Sequence, residues 1–213
     1  EKALIVDVRS YPGRTPQEPD TERITRGARD GYVENIIVNT ALTRRRIRDE
    51  RLRFEIMRVG ERSKTDIAIG YIEGIANPHL VEIIKRELGS IKTDGLTMAE
   101  KTVEEYLVKE NYNPYPLVRY TERADVGANH LFEGHVLVFV DTSPSIMIAP
   151  TTFFHHVQHA EEYRQSASVG TIIRWFRFIG IFASLFLIPL WLLFVLEPQL
   201  LPKSLEFIGP NDD

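Results

Sequence analysis

The 213-residue sequence contains no cysteine. That excludes disulfides, thiol nucleophiles, iron–sulfur ligation by Cys and the Cys-based zinc motifs, and it leaves the redox compartment open. Neither sign of charge dominates: 26 Lys and Arg stand against 30 Asp and Glu, a formal net charge of −4. A mildly acidic total argues against a general nucleic-acid binder. Phosphate-cradling loops are missing, with no GxGxxG and no GxxxxGKS/T; GERSKTD at Gly60–Asp66 is an accidental likeness. Glycine and proline are modest, at 13 and 12, while 43% of residues are hydrophobic. Such a chain folds, as one large domain or two small ones.

What is present is one long apolar run. Phe178–Leu196 reads FIGIFASLFLIPLWLLFVL, uncharged, with Ser184 as its polar side chain. At ~1.5 Å per residue the run spans roughly 28 Å, close to the ~30 Å of a bilayer's hydrocarbon core. A fully buried core helix is the alternative, and it needs a large surrounding core. Arg174, Trp175, Arg177 and Trp191 flank the segment as membrane-interface residues, and Glu197 closes it. Arginines on the N-terminal side place the preceding region in the cytoplasm. Pro189 inside the run is tolerable in a membrane, where a kink or a neighbouring helix absorbs the lost bond. A region followed by one spanning helix reads as part of a larger membrane protein.

Before this run the sequence predicts two small mixed α/β lobes. Residues 1–110 form the first, 111–168 the second, 169–197 the membrane-proximal and spanning helix, and 198–213 the start of an extramembrane loop. Strands are expected at Ala3–Val8, Leu52–Val59, Thr65–Ile72, His135–Asp141 and Ile146–Ala149. In Leu52–Val59, Leu52, Phe54 and Ile56 alternate as the inward set. A helix is expected at about Glu34–Arg48, where Ile36, Ile37, Thr40, Ala41 and Ile47 recur at helical spacing. Asn77-Pro78 opens a second helix that stops at Gly89. Further helices are expected over Met98–Val108, Thr121–Phe132 and Thr151–Tyr163.

Catalytic patterns fail one by one. His155 and His159 form an i,i+4 pair in HHVQH, but Val157 follows His156 and HExxH is not completed. Glu161 and Glu162 could add a carboxylate, without forced geometry. Asp141 follows a strand, where α/β proteins place catalytic carboxylates, yet it can equally cap the turn before Ser143-Pro144. A membrane-tethered hydrolase on Asp141 and the His155/His159 pair is the remote reading; no catalytic residue, cofactor or metal site is assigned. From Arg23 to Lys64 there are 12 basic and 6 acidic residues. Tyr32 and Phe54 are the aromatics nearby, too few for a single-strand platform, so no nucleic acid is expected. Arg44, Arg45, Arg46 and Arg48 suit anionic lipid, a partner subunit or a solvated face, and Arg119, Glu122 and Arg123 suit further polar contacts.

Long unusual strings carry a resemblance: PDTERITRGARDGYVENIIVNTALTRRRIRD, ERSKTDIAIGYIEGIANPHLV, NPYPLVRYTERADVGANHLFEGHVLVFVDTSPSIMIAPTTFFHHVQHAEEY and GTIIRWFRFIGIFASLFLIPLWLLFV. Together they resemble the A-subunit family of bacterial spore germination receptors, and the LEPQLLPKSLEFIGPN ending is similar to its stage V sporulation branch. The resemblance implies a non-enzymatic membrane protein of the endospore inner membrane, with a cytoplasmic N-terminal region of two subdomains. It implies homo-oligomers forming an ion channel or accessory channel, a B-type transporter-like subunit that binds germinant and a possible C-type lipoprotein. A non-conducting scaffold that assembles the receptor complex is the second reading. In either, the arginine run and Arg119, Glu122 and Arg123 would make subunit or headgroup contacts, while Gly31 permits a turn and Asp30 caps a helix.

Overall fold

Asn35 starts the first helix, accepting the amides of Ile37 (2.9 Å) and Val38 (3.4 Å) on its side-chain oxygen. The computed structural model describes residues 13–20, 22–24, 27–96, 99–107, 116–157, 166–197 and 200. The strand expected at Ala3–Val8, His159, Glu161, Glu162 and the residues after Leu200 lie outside these. The chain divides into a unit of residues 1–156 and a unit of residues 157–213.

In the first unit the order is α1 (Ile36–Arg46), β1 (Leu52–Val59), β2 (Thr65–Ile72), α2 (Pro78–Gly89), α3 (Ala99–Leu107), β3 (Arg119–Thr121), α4 (Ala124–Phe132), β4 (Val136–Val140), β5 (Ile146–Ala149) and α5 (Phe153–Val157). The five strands form one antiparallel sheet in the order β1-β2-β4-β5-β3. β1 and β2 make a hairpin from Leu52↔Ile72 to Val59↔Thr65, turning through Gly60. β2 then pairs with β4 from Ile67↔Val140 to Gly70↔Leu137. The sheet therefore crosses the expected 110/111 boundary: strands assigned to separate lobes are hydrogen-bonded neighbours. The fold class is mixed α/β, with its sheet shared by both segments.

Helices cover both faces. Val59, Ile67, Ile69, Val136, Val138 and Val140 pack with Val81, Ile84, Leu88 of α2 and Val103 of α3. On the opposite face α1 packs on α4, and Tyr32 meets Phe139 edge-on at 5.8 Å. All five positions of β4 are buried, as an apolar run with both faces covered must be.

The α1 side differs from the helical pattern expected. Its inward residues are Ile36, Asn39 and Thr43, while Ile37 is 62% exposed. The polar pair is satisfied locally. Asn39 accepts the Val33 amide (2.8 Å) and donates to the Val33 carbonyl (2.5 Å), and Thr43 Oγ1 bonds the Tyr32 hydroxyl at 2.8 Å. Buried polar groups with partners are tolerated, so a low-hydrophobicity face can still be the buried one. Ile56, expected inward, is exposed on edge strand β1. Asp30 caps nothing among the described residues; it pairs with Arg46 Nη2 at 2.5 Å.

The second unit contains α6 (Ala167–Leu196), which runs through Pro189. Ser168–Leu196 is long and apolar enough to cross a membrane, and none of its most apolar stretch is buried. At ~1.5 Å per residue the helix extends about 45 Å, so it begins well before the uncharged run.

Candidate functional site

The arginine run divides by chemistry. Arg44 donates to the carbonyls of Asp49 (3.0 Å) and Leu52 (2.7 Å), and its guanidinium lies 5.4 Å from the Phe54 ring centroid. It ties the end of α1 to the start of β1. Arg46 is held by Asp30. The side chains of Arg45 and Arg48 are exposed and make no hydrogen bond or ion pair among the described residues. These two keep their charge available to something outside the fold.

Arg119 and Arg123 are buried. Arg123, 1% exposed, donates to the carbonyls of Glu22 (3.0 Å) and Ala28 (2.9 Å) and to both oxygens of Asp125. Arg119 donates to the His155 carbonyl at 2.7 Å and lies 3.8 Å from Glu22. The carboxylate of Glu22 also takes the Thr121 hydroxyl at 2.6 Å. These arginines lash the segment before α1 to the start of α4, which is fold maintenance rather than an outward contact. Glu122 is half-buried; its carbonyl accepts the Tyr32 amide at 2.7 Å. Beside it a polar cleft of about 580 Å3 is lined by Arg14, Glu18, Asp20, Arg23, Glu34 and Glu122. The ion pairs Arg14–Glu34 (3.0 Å) and Arg23–Asp20 already neutralise much of its charge.

Asp141 is a helix cap: its Oδ1 accepts the Ile36 amide at 3.2 Å, across 105 residues of chain. The adjacent Thr142, at φ 73°, donates its amide to the Glu34 carbonyl at 2.8 Å. A carboxylate committed to an α1 amide is placed for structure, not for a hydrolytic centre with His155.

A group that sequence reading missed lies on the other side of α4. One potential ligand atom each from His130, Glu133 and His135 lie within 4.8 Å of one another. The His155 ring stacks edge-on against both histidines, with centroids 5.7 Å from His130 and 4.9 Å from His135. Burial holds the His130 pKa down to about 3, helped by His135, Arg119 and His155. Burial lowers His155 and His156 as well. The signal was H-x2-E-G-H: a helix-ending glycine that folds two histidines onto each other. A search at i,i+4 spacing passes over it.

Arg174, Trp175, Arg177 and Trp191 all lie on α6. The described chain is thus a mixed α/β unit built on one antiparallel sheet and a C-terminal helix long and apolar enough to cross a membrane. The chain belongs to the GerA family, described as Bacillus/Clostridium GerA spore germination protein, which matches residues 1–213. It is 68% identical over 211 residues to Stage V sporulation protein AF of Bacillus subtilis (strain 168), covering 99% of this chain and 43% of that protein. To Spore germination protein GerLA of Bacillus cereus it is 37% identical over 177 residues, covering 83% of this chain and 36% of that protein. The solved N-terminal domain of the A subunit of the Bacillus megaterium spore germinant receptor GerK3 is 37% identical, with a TM-score of 0.47, over 58% of this chain and 97% of that one. The chain spans less than half the length of the curated relatives it matches.

Proposed function

We propose that this chain is the region of a spore germination membrane protein that assembles subunits at the spore inner membrane, as part of an oligomeric ion channel or accessory channel acting with nutrient germinant receptors. The observation that carries the reading is α6, an exposed apolar helix in a chain of the GerA family. In this reading the N-terminal unit faces the cytoplasm, Arg174 and Arg177 stay on that side, and Trp175 and Trp191 sit at the two interfaces. Arg45 and Arg48, exposed and unpaired among the described residues, meet a neighbouring subunit or anionic headgroups. Homo-oligomers, a B-type transporter-like subunit and a C-type lipoprotein are the partners this assigns, and the role is non-enzymatic.

One feature favours a second reading. α6 offers Ser184 as the polar side chain of its apolar run, and a wall of leucine, isoleucine and phenylalanine provides no polar lining for an ion. If α6 is an anchor, the protein is a scaffold and conduction belongs elsewhere. Ionic current across a planar bilayer holding the full-length protein, alone and with its B-type partner, decides between them. Current that tracks assembly supports the channel. Silence from verified, oriented oligomers under both conditions assigns the scaffold role.

A further inference from the structure

The last turn of α4 closes in a left-handed reversal that has a chemical consequence. Gly134, at φ 88°, takes the position where a side chain would be strained. Its amide donates to the Leu131 carbonyl at 3.1 Å, and the His135 amide donates to the His130 carbonyl at 3.0 Å. This paired closure is the Schellman arrangement, and it folds the sixth residue back onto the first. Those residues are His135 and His130, whose rings meet at 4.9 Å. Glu133, between them, brings its carboxylate to 3.3 Å from His130 Nδ1 and 3.9 Å from His135 Nδ1.

We propose that His130, Glu133 and His135 form a binding site for one first-row divalent cation of the Zn2+ type. The strongest support is His130. Its residue is 0% exposed, and neither ring nitrogen has a hydrogen-bond partner, the Glu133 carboxylate 3.3 Å from Nδ1 lying outside hydrogen-bond geometry. A buried polar atom left unpaired costs roughly 1–3 kcal/mol, and in native proteins it signals a missing ligand, ion or water. The spacing fits. Ligand atoms held about 2.0–2.2 Å from one tetrahedral zinc stand about 3.3–3.6 Å apart. Two imidazoles and a carboxylate are a donor set used by zinc and by non-haem iron.

The surroundings orient the ligands. His135 Nδ1 lies 3.1 Å from the His130 carbonyl, so it carries the proton and leaves Nε2 with the lone pair. His155 is different. Its Nδ1 accepts the Thr152 amide at 3.1 Å, so its Nε2 bears the proton and neither ring nitrogen offers a lone pair to the ion. Arg119 is a neighbouring cation, offset by Glu22 at 3.8 Å from its Nη2. Glu133, 44% exposed at its side chain, opens the site to solvent and supplies the entry path. A bound ion would pin the end of α4 to the start of β4, close to α5.

The test uses the full chain, untagged and in detergent, stripped with chelator and dialysed against Zn2+. Bound metal is counted by mass spectrometry and affinity is read by competition with a chromophoric chelator. Co2+ in place of Zn2+ reports coordination through its visible absorption. One ion per chain is expected, with affinity weakened by more than about tenfold in Glu133→Gln and in His135→Gln, since losing even an outer-shell partner costs roughly 10–100-fold. Glu133→Gln changes an exposed carboxylate, so its fold is kept. His159→Ala, aimed at the HHVQH histidines, is expected to bind as the parent does. No retained ion, binding indifferent to both ligand variants, or binding lost only in His159→Ala would overturn the site.

Discussion

Arg123 grips Asp125 with two hydrogen bonds, Nε to Oδ1 at 3.0 Å and Nη2 to Oδ2 at 2.9 Å, from a position 1% exposed to solvent. The same guanidinium satisfies two carbonyls of the segment before α1. Replacing it with Met takes the guanidinium from a partly buried carboxylate, which keeps the Val126 amide at 3.0 Å, and from those two carbonyls. A loss of about 3–5 kcal/mol is expected, as when one partner of a buried pair is removed. Arg123→Lys keeps the charge but reaches fewer acceptors, so it falls between. Hydrogen exchange of α4 in the full chain measures both.

Gly31 is needed for space rather than for backbone freedom. A Cβ there would stand 2.5 Å from the Gln17 carbonyl oxygen and 3.2 Å from that of Glu122. Neither is a flexible side-chain end, and the Gly31 amide itself bonds Gln17 at 2.9 Å. Gly31→Ala is expected to cost about 1–3 kcal/mol and to release residues 13–24 first. Limited proteolysis should cut that segment earlier than in the parent chain, with the β2–β4 core still protected.

Much of this fold was legible where one local pattern decides it. The hairpin strands at 52–59 and 65–72 fall where alternation and the Gly60 turn put them, and Asn77-Pro78 opens α2 as its chemistry demands. What escaped depends on distant partners. β3 has three residues and exists because β5 lies beside it, so no periodicity marks it. The expected lobe boundary lies at 110/111, yet β2 and β4 pair across it. Nothing in either strand's composition names its neighbour. The arginines show the same limit. Charge alone could not separate buried Arg123 from exposed Arg45, because their difference lies in carbonyls brought from elsewhere.

Glu55 gives the sheet an acid dependence. Lys85 Nζ at 2.7 Å and the Tyr71 hydroxyl at 2.5 Å hold its carboxyl below the usual range, and Glu55 in turn raises Tyr71 to about 12. A carboxyl with a depressed folded pKa contributes stability that is present above its unfolded pKa of about 4.5 and is lost as pH falls through the folded value. The group is partly exposed, so the contribution is under about 1 kcal/mol. Glu55→Gln should lower protection of the β1–β2 amides slightly at neutral pH and flatten its decline toward acid. Hydrogen exchange across the pH range reads this directly.

Charge reversal should sort the arginine run. Arg45→Glu with Arg48→Glu is expected to change stability by less than about 0.5 kcal/mol, since both side chains are exposed. It should nonetheless reduce oligomer size or partner recovery, or binding to vesicles rich in anionic lipid. Arg46→Glu sets a like charge against Asp30 and is expected to destabilise the fold. Light scattering and vesicle co-sedimentation of the full chain supply the readouts. Unchanged assembly and unchanged lipid binding in the double variant would leave the pair as plain surface.

The apolar helix invites a depth test. Leu187 lies near the middle of Phe178–Leu196 and is exposed. Arg there is expected to disfavour insertion by about 2.5–3.5 kcal/mol, whereas Leu187→Ala should be tolerated. Alkaline extraction of membranes carrying each variant compares them. Equal retention of the arginine variant would count against α6 as a spanning helix.

The position of β4 in the sheet sets a timetable for biosynthesis. The β1–β2 hairpin is complete at Ile72, but the strand that covers the inner edge of β2 begins at Val136. At about 5–20 residues per second, translation leaves that apolar edge waiting for several seconds. During this interval α2 can shield one face of the hairpin, while the edge itself offers unpaired amides to any other nascent strand. Crowding of neighbouring ribosomes on one message would therefore be the condition under which this chain misassembles, and slower initiation the simplest remedy.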